Sequence, residues 1–158
     1  MLDYKEILSG EVGQVIKLHN ELAYFIQRET KDEYWDFGIL SEDSARSHLE
    51  GFIDNPERKI FVAKNDEKIV GFIAGEIMQC HLPISSIAKV GYISGAYVLP
   101  EYRGKGIMGK LDNLIVGFFK DYGLKFVELH FITNNIIARE TWNSLGYKTF
   151  REQARKRV

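Results

Sequence analysis

A chain of 158 residues with 45% apolar and 27% charged side chains has the make-up of an ordinary globular protein, long enough to bury one core. Its 21 basic and 22 acidic residues leave a net charge of −1, which removes the bulk electrostatic case for a nucleic-acid or anionic-membrane partner. With Cys80 as the one cysteine and no apolar run near the roughly 18 residues of a membrane span, a soluble, cytoplasmic single domain over residues 1–158 is expected.

Asp3 to Leu8 alternates as an edge strand would, and Ser9 is placed to cap a helix that carries apolar residues at helical spacing from Val12 to Ile26. The following Lys31 to Leu40 breaks that period. It sets Tyr34, Trp35 and Phe37 beside Asp32, Glu33 and Asp36, which suits either a connection that caps the core or a lid for a cationic amine. A second helix is expected from a Ser41 cap to about Asp54, ended by Asn55-Pro56. Lys59 to Lys64 and Ile69 to Cys80 read as a hairpin turning at Asn65-Asp66, with Gly71 and Gly75 marking a bulge or close packing in a central strand. Further strands are expected at Lys89 to Val98, Lys125 to Ile132 and Tyr147 to about Lys156. Helices should run from about Lys105 to Tyr122 and from Ile136 to Leu145, stopped by Gly123 and Gly146. This order implies an α/β fold, a mixed central sheet of six to seven strands with helices on both faces.

The chemistry concentrates between Gly91 and Lys110, where an apolar strand gives way to a glycine-rich basic loop and then a helix. Gly104, Gly106 and Gly109 let a backbone approach a ligand, and a helix start offers unpaired N–H groups. Arg103, Lys105 and Lys110 add positive charge, so the stretch reads as a phosphate cradle. It lacks the signatures of a nucleotide-triphosphate loop and of a dinucleotide fingerprint. Downstream, Asn135, Ala138, Trp142 and Gly146-Tyr147 recur as Asn-x-x-Ala-x-x-x-aromatic-x-x-x-Gly-aromatic.

Together the two motifs resemble those of the GNAT (Gcn5-related) N-acetyltransferase superfamily. Its phosphate motif falls on Arg103, Gly104, Lys105, Gly106, Ile107 and Met108, with Ala96 to Tyr102 as the strand lead-in. The resemblance implies a GNAT-like acyl-CoA N-acyltransferase fold and acetyl-CoA as co-substrate, without a metal. The backbone of Tyr97, Val98 and Leu99 would pair with the pantetheine arm, and the run from Arg103 through Gly109 to Lys110 would hold the pyrophosphate. Asn135, Ala138, Arg139 and Trp142 would line the arm. The family often has Gly or Ala where Met108 stands, and a thiolate-protonating tyrosine where this chain has Trp142.

The strand before the loop also lacks the carboxylate base of many relatives; it offers Tyr92, Ser94 and Tyr97. Glu76, His130 and Tyr147 are the candidates for proton chemistry, with Glu128 sharing the face of His130. Cys80 reads as a small hydrophobe rather than an acyl carrier. The implied activity is direct acetyl transfer to the primary amine of a small molecule or peptide N-terminus. A non-catalytic acetyl-CoA-binding sensor is the alternative. Arg151 to Arg157 places four basic residues in seven, a strand open to pairing across a homodimer or a solvated end.

Overall fold

A computed structural model describes all residues 1–158. Five strands form one sheet in the order β1 (Leu2–Glu6), β2 (Arg58–Asn65), β3 (Lys68–Gln79), β4 (Lys89–Val98) and β5 (Val127–Glu128). The first four pair antiparallel and β5 joins β4 in parallel, so the α/β class and the mixed sheet hold. Helices α1 (Val12–Thr30) and α2 (Asp43–Glu50) lie on one face. Helix α3 (Ile107–Asp121) covers the other, and α4 (Ile136–Ser144) brings Leu145 close to Gly109 at the start of α3.

Sheet parity shows why each face takes its helix. Gly75 and Ile93 are cross-strand partners, as are Ile77 and Gly91, and this set faces α3. A Cβ on Gly91 would stand 2.5 Å from the Phe119 ring, so only hydrogen allows the helix to approach this closely. On the opposite face, Gly95 looks toward Phe72 and Leu22 of α1. The register slips between Ala74 and Gly75, where Ala74 pairs with Gly95 and Gly75 with Ile93, leaving Ser94 as the extra residue of a bulge.

The expected six to seven strands reduce to five. Strand β5 keeps only Val127 and Glu128 of the expected Lys125 to Ile132. The final strand does not form; residues 148–158 run outside the sheet. Tyr147 gives its hydroxyl to Asp112 of α3, and the tail that follows has no alternating apolar set to bury. It is anchored by side chains instead: Arg155 grips Asp32 with two hydrogen bonds (2.9 and 2.5 Å), and Arg157 pairs with Glu33. Helix α2 is shorter than its cap signals suggest: after Glu50 the bonds tighten to Phe52 N–H on Leu49 O and Ile53 N–H on Glu50 O, and Asp54 then turns left-handed at φ 52°. The hairpin turns at Asp66-Glu67, one residue later than expected, with Asp66 at φ 53°. No helix is long and apolar enough to cross a membrane.

Candidate functional site

Strands β4 and β5 are joined at only two pairs, Gly91–Val127 and Tyr92–Glu128, and they separate beyond Tyr92. The Leu99 N–H donates to Val70 O on β3, so by strand alternation Tyr97 and Leu99 spend their backbone groups on β3. Val98 and Ala96 face the edge that β5 has vacated. The Val98 carbonyl accepts from Arg103 Nε at 3.0 Å, and its N–H stays open. All three side chains are buried, and by alternation Val98 is the one of the three whose amide points to the open edge.

The loop after β4 continues the pattern. A 3-10 turn over Pro100–Tyr102 brings the Arg103 N–H onto Pro100 O, and the next backbone donor with an acceptor is Lys110, onto Gly106 O. Every N–H from Gly104 to Gly109 lacks a backbone acceptor. Gly106 caps α3 at φ 74°, a left-handed setting that an L side chain rarely takes, and this turns the run of N–H groups outward at the positive end of the helix. The cations around this mouth rest on aromatic rings. Arg103 lies 5.0 Å from the Phe25 ring centre and 5.2 Å from that of Tyr97, Lys105 4.9 Å from Tyr102, and Lys110 5.0 Å from Tyr4. Met108, in place of the usual small residue, packs partly buried against the core and leaves the N–H run clear.

Helix α4 approaches from the other side. Asn135 is buried and accepts the Ala138 N–H (3.2 Å) as an N-cap, leaving its amide nitrogen free to donate. Arg139 binds Thr133 O at 2.6 Å, and its buried Nε has no partner. Trp142 is buried edge-on to Tyr147, with ring centres 5.4 Å apart. The Tyr147 hydroxyl donates to Asp112 Oδ1 at 2.7 Å. Burial pushes the Asp112 carboxyl above its ordinary range, partly offset by that hydrogen bond, and burial together with Asp112 raises the Tyr147 phenol further still.

On the face opposite α3, register sets a row across four strands: Arg58, Glu76, Tyr92 and Glu128 are successive cross-strand neighbours. Arg58 Nε stands 3.2 Å from Glu76 Oε2. The Tyr92 hydroxyl lies 2.6 Å from His130 Nδ1, just where β4 and β5 part. Burial raises the Tyr92 phenol, Glu76 and Glu128 add to the rise, and Arg151 opposes it. Sequence reasoning noted Tyr92 only in passing. The pairing of strands β4 and β5 is the signal that connects it to His130, and that pairing is long-range.

The Lys31 to Leu40 segment borders the same face. Gln27 Nε2 on α1 holds both Trp35 O and Phe37 O at 2.8 Å, and Phe37 packs on Tyr24, so the segment is pinned to the core. Tyr34 projects outward beneath Arg155, whose guanidinium lies 4.4 Å from its ring centre. Cys80 is half-buried beyond the end of β3, with its N–H on Ala88 O.

Residues 22–147 match the acetyltransferase (GNAT) family. The chain belongs to that family. Among its relatives, an uncharacterized N-acetyltransferase of Methanocaldococcus jannaschii is 30% identical over 154 residues, covering 87% of this chain. The chain spans 64% of that relative's length. An uncharacterized N-acetyltransferase of Archaeoglobus fulgidus is 28% identical over 109 residues, covering 69% of this chain and 73% of its own. The fold of this GNAT protein matches solved structures at lower identity. A mutant of the BH1408 protein from Bacillus halodurans superposes with a TM-score of 0.84 at 21% identity, over 99% of each chain. The aminoglycoside acetyltransferase AAC(6')-Iy, bound to a bisubstrate analogue of CoA and acetylneamine, gives 0.80 at 16% identity, over 100% of this chain and 98% of its own.

Proposed function

We propose that this GNAT protein, as one domain over residues 1–158, transfers the acetyl group of acetyl-CoA to a primary amine of a small molecule. The observation that carries this reading is the unbroken run of acceptor-less N–H groups from Gly104 to Gly109, beside the free β4 edge at Val98. A pyrophosphate satisfies such a run and the cations around it, while an extended amide-bearing arm suits a vacated strand edge. CoA complexes of the structural neighbour AAC(6')-Iy support the same reading.

Arg103, Gly104, Lys105, Gly106, Ile107, Met108, Gly109 and Lys110 hold the phosphates; Val98 and Ala96 meet the arm through their backbones, with Tyr97 and Leu99 fixing that strand. Asn135 donates its free amide to the arm, and Ala138, Arg139 and Trp142 wall it. The Val98 N–H donates to the thioester carbonyl oxygen, where negative charge grows as the amine attacks. Of the three candidates for proton chemistry, His130 stands at the strand separation and acts as base. Glu76, paired with Arg58, contributes charge beside it, and Tyr147, held by Asp112, keeps Trp142 and the end of α4 in place.

A thiol-release assay over a panel of amines, run beside thermal unfolding with acetyl-CoA, tests this. Saturating acetyl-CoA should raise the Tm, and at least one amine should release thiol above hydrolysis. Stabilisation without transfer would replace the enzyme by a coenzyme A-binding sensor. Neither effect would remove the cofactor site itself.

A further inference from the structure

The Tyr92 and His130 pair sits where strands β4 and β5 separate. Tyr92 is the last β4 residue paired to β5, and His130 lies two residues past its partner Glu128. The hydroxyl-to-Nδ1 distance of 2.6 Å and ring centres 5.7 Å apart make this a direct contact of two side chains that can each carry a proton. The charged groups facing the pair come from every neighbouring element: Glu76 of β3, itself held by Arg58 of β2, Glu128 of β5, and Arg151 of the tail. Two carboxylates and two arginines surround the pair, with Arg58 engaged by Glu76, so Glu128 and Arg151 are the charges left to face it. His130 is exposed, so it can return a proton to water; Tyr92 is half-buried, so its hydroxyl is held in place.

We propose, building on the acetyltransferase reading, that Tyr92 and His130 form a two-residue proton relay that deprotonates the acceptor ammonium. One N–H proton of the ammonium passes to the Tyr92 oxygen while the phenolic proton moves to His130 Nδ1. The freed lone pair forms the C–N bond to the acetyl carbonyl carbon. The C–S bond breaks with its electron pair leaving on sulfur, and the amine's second proton goes to that sulfur through water. The products are amide and thiol, and His130 carries the one remaining proton until solvent takes it. This direction requires a neutral His130 with its hydrogen on Nε2 and its Nδ1 accepting from Tyr92.

Two measurements test the relay. In the first, kcat/KM for a transferred amine is followed against pH in the wild type, Tyr92→Phe and His130→Ala. Each substitution should lower kcat/KM about 100-fold near neutral pH, leave KM for acetyl-CoA in place, and replace the plateau by a rate that climbs steadily with pH. Added imidazole should restore His130→Ala in part and Tyr92→Phe not at all. In the second, nitrogen NMR of labelled histidine in the free protein should show hydrogen on Nε2 of His130, with the Nδ1 signal moving in Tyr92→Phe. A wild type that transfers acetyl while Tyr92→Phe keeps its rate and pH profile overturns the relay alone, as does hydrogen found on Nδ1. A wild type that transfers to no amine overturns the acetyltransferase reading and the relay with it.

Discussion

The two faces of β4 are built on opposite principles. Toward α3, Gly91 and Gly75 meet Phe119 and Ile115 at distances that leave no room for a methyl group. Toward the opposite face, Tyr92 stands in a polar row with Arg58, Glu76 and Glu128, and the tail is tied down by charged side chains such as Arg155. The first face fixes the β4 backbone against α3, so its demands are steric and narrow. The second arranges polar side chains around the Tyr92 and His130 contact, where the proposed relay would act.

Filling the tight face should have the largest effect. Gly91→Ala drives a Cβ into the Phe119 ring at 2.5 Å and should cost about 3 kcal/mol of unfolding free energy, measurable by urea denaturation. An equally stable variant would mean that α3 slides freely on the sheet.

The buried polar contact between α3 and the end of α4 comes next. Tyr147→Phe strips the buried Asp112 carboxyl of its donor and should cost about 1–3 kcal/mol at neutral pH. The sign with pH follows from the raised Asp112 value. The contribution of a group whose ionisation is raised on folding is full below its ordinary value and is lost as pH rises through the raised one. The penalty in Tyr147→Phe should therefore shrink on acidification toward pH 4, because the carboxyl is then protonated and needs no donor for its charge. A penalty independent of pH would place the effect in Trp142 packing instead.

Gly106→Ala separates stability from ligand binding. Nothing within 4 Å opposes the added methyl, so the cost is the left-handed backbone alone, about 1–2 kcal/mol. Calorimetric acetyl-CoA affinity should fall at least tenfold as the N–H run reorients. Unchanged affinity would break the link between this turn and the phosphates.

The smallest change belongs to the polar side. Arg155→Ala removes a solvent-screened pair with Asp32 and should leave the urea midpoint almost unchanged. It uncovers Asp32 and Tyr34, so KM should fall for amines with a second cationic group and stay level for simple monoamines. A large loss of stability would show that the tail supports the fold.

Much of this was legible from the residues alone, because it is local. Strand β4 matches its expected limits at Lys89 and Val98, and the left-handed turns at Gly123 and Gly146 follow from short-range backbone chemistry. The cradle was readable for the same reason: glycine spacing and a helix start are encoded within a few residues. The missing sixth strand was not, since strand formation needs a partner edge, and the basic tail found Asp32 and Glu33, more than 100 residues away in the chain, instead.

The sequence by itself determined the α/β order, the glycine-rich turn into α3 and the family, each written in local periodicity and short motifs. Only the tertiary structure decided which side chains meet across the sheet. The Tyr92 hydroxyl on His130, Glu76 on Arg58 and Tyr147 on Asp112 all depend on register and helix docking, which are set by long-range packing, so no spacing along the chain could announce them.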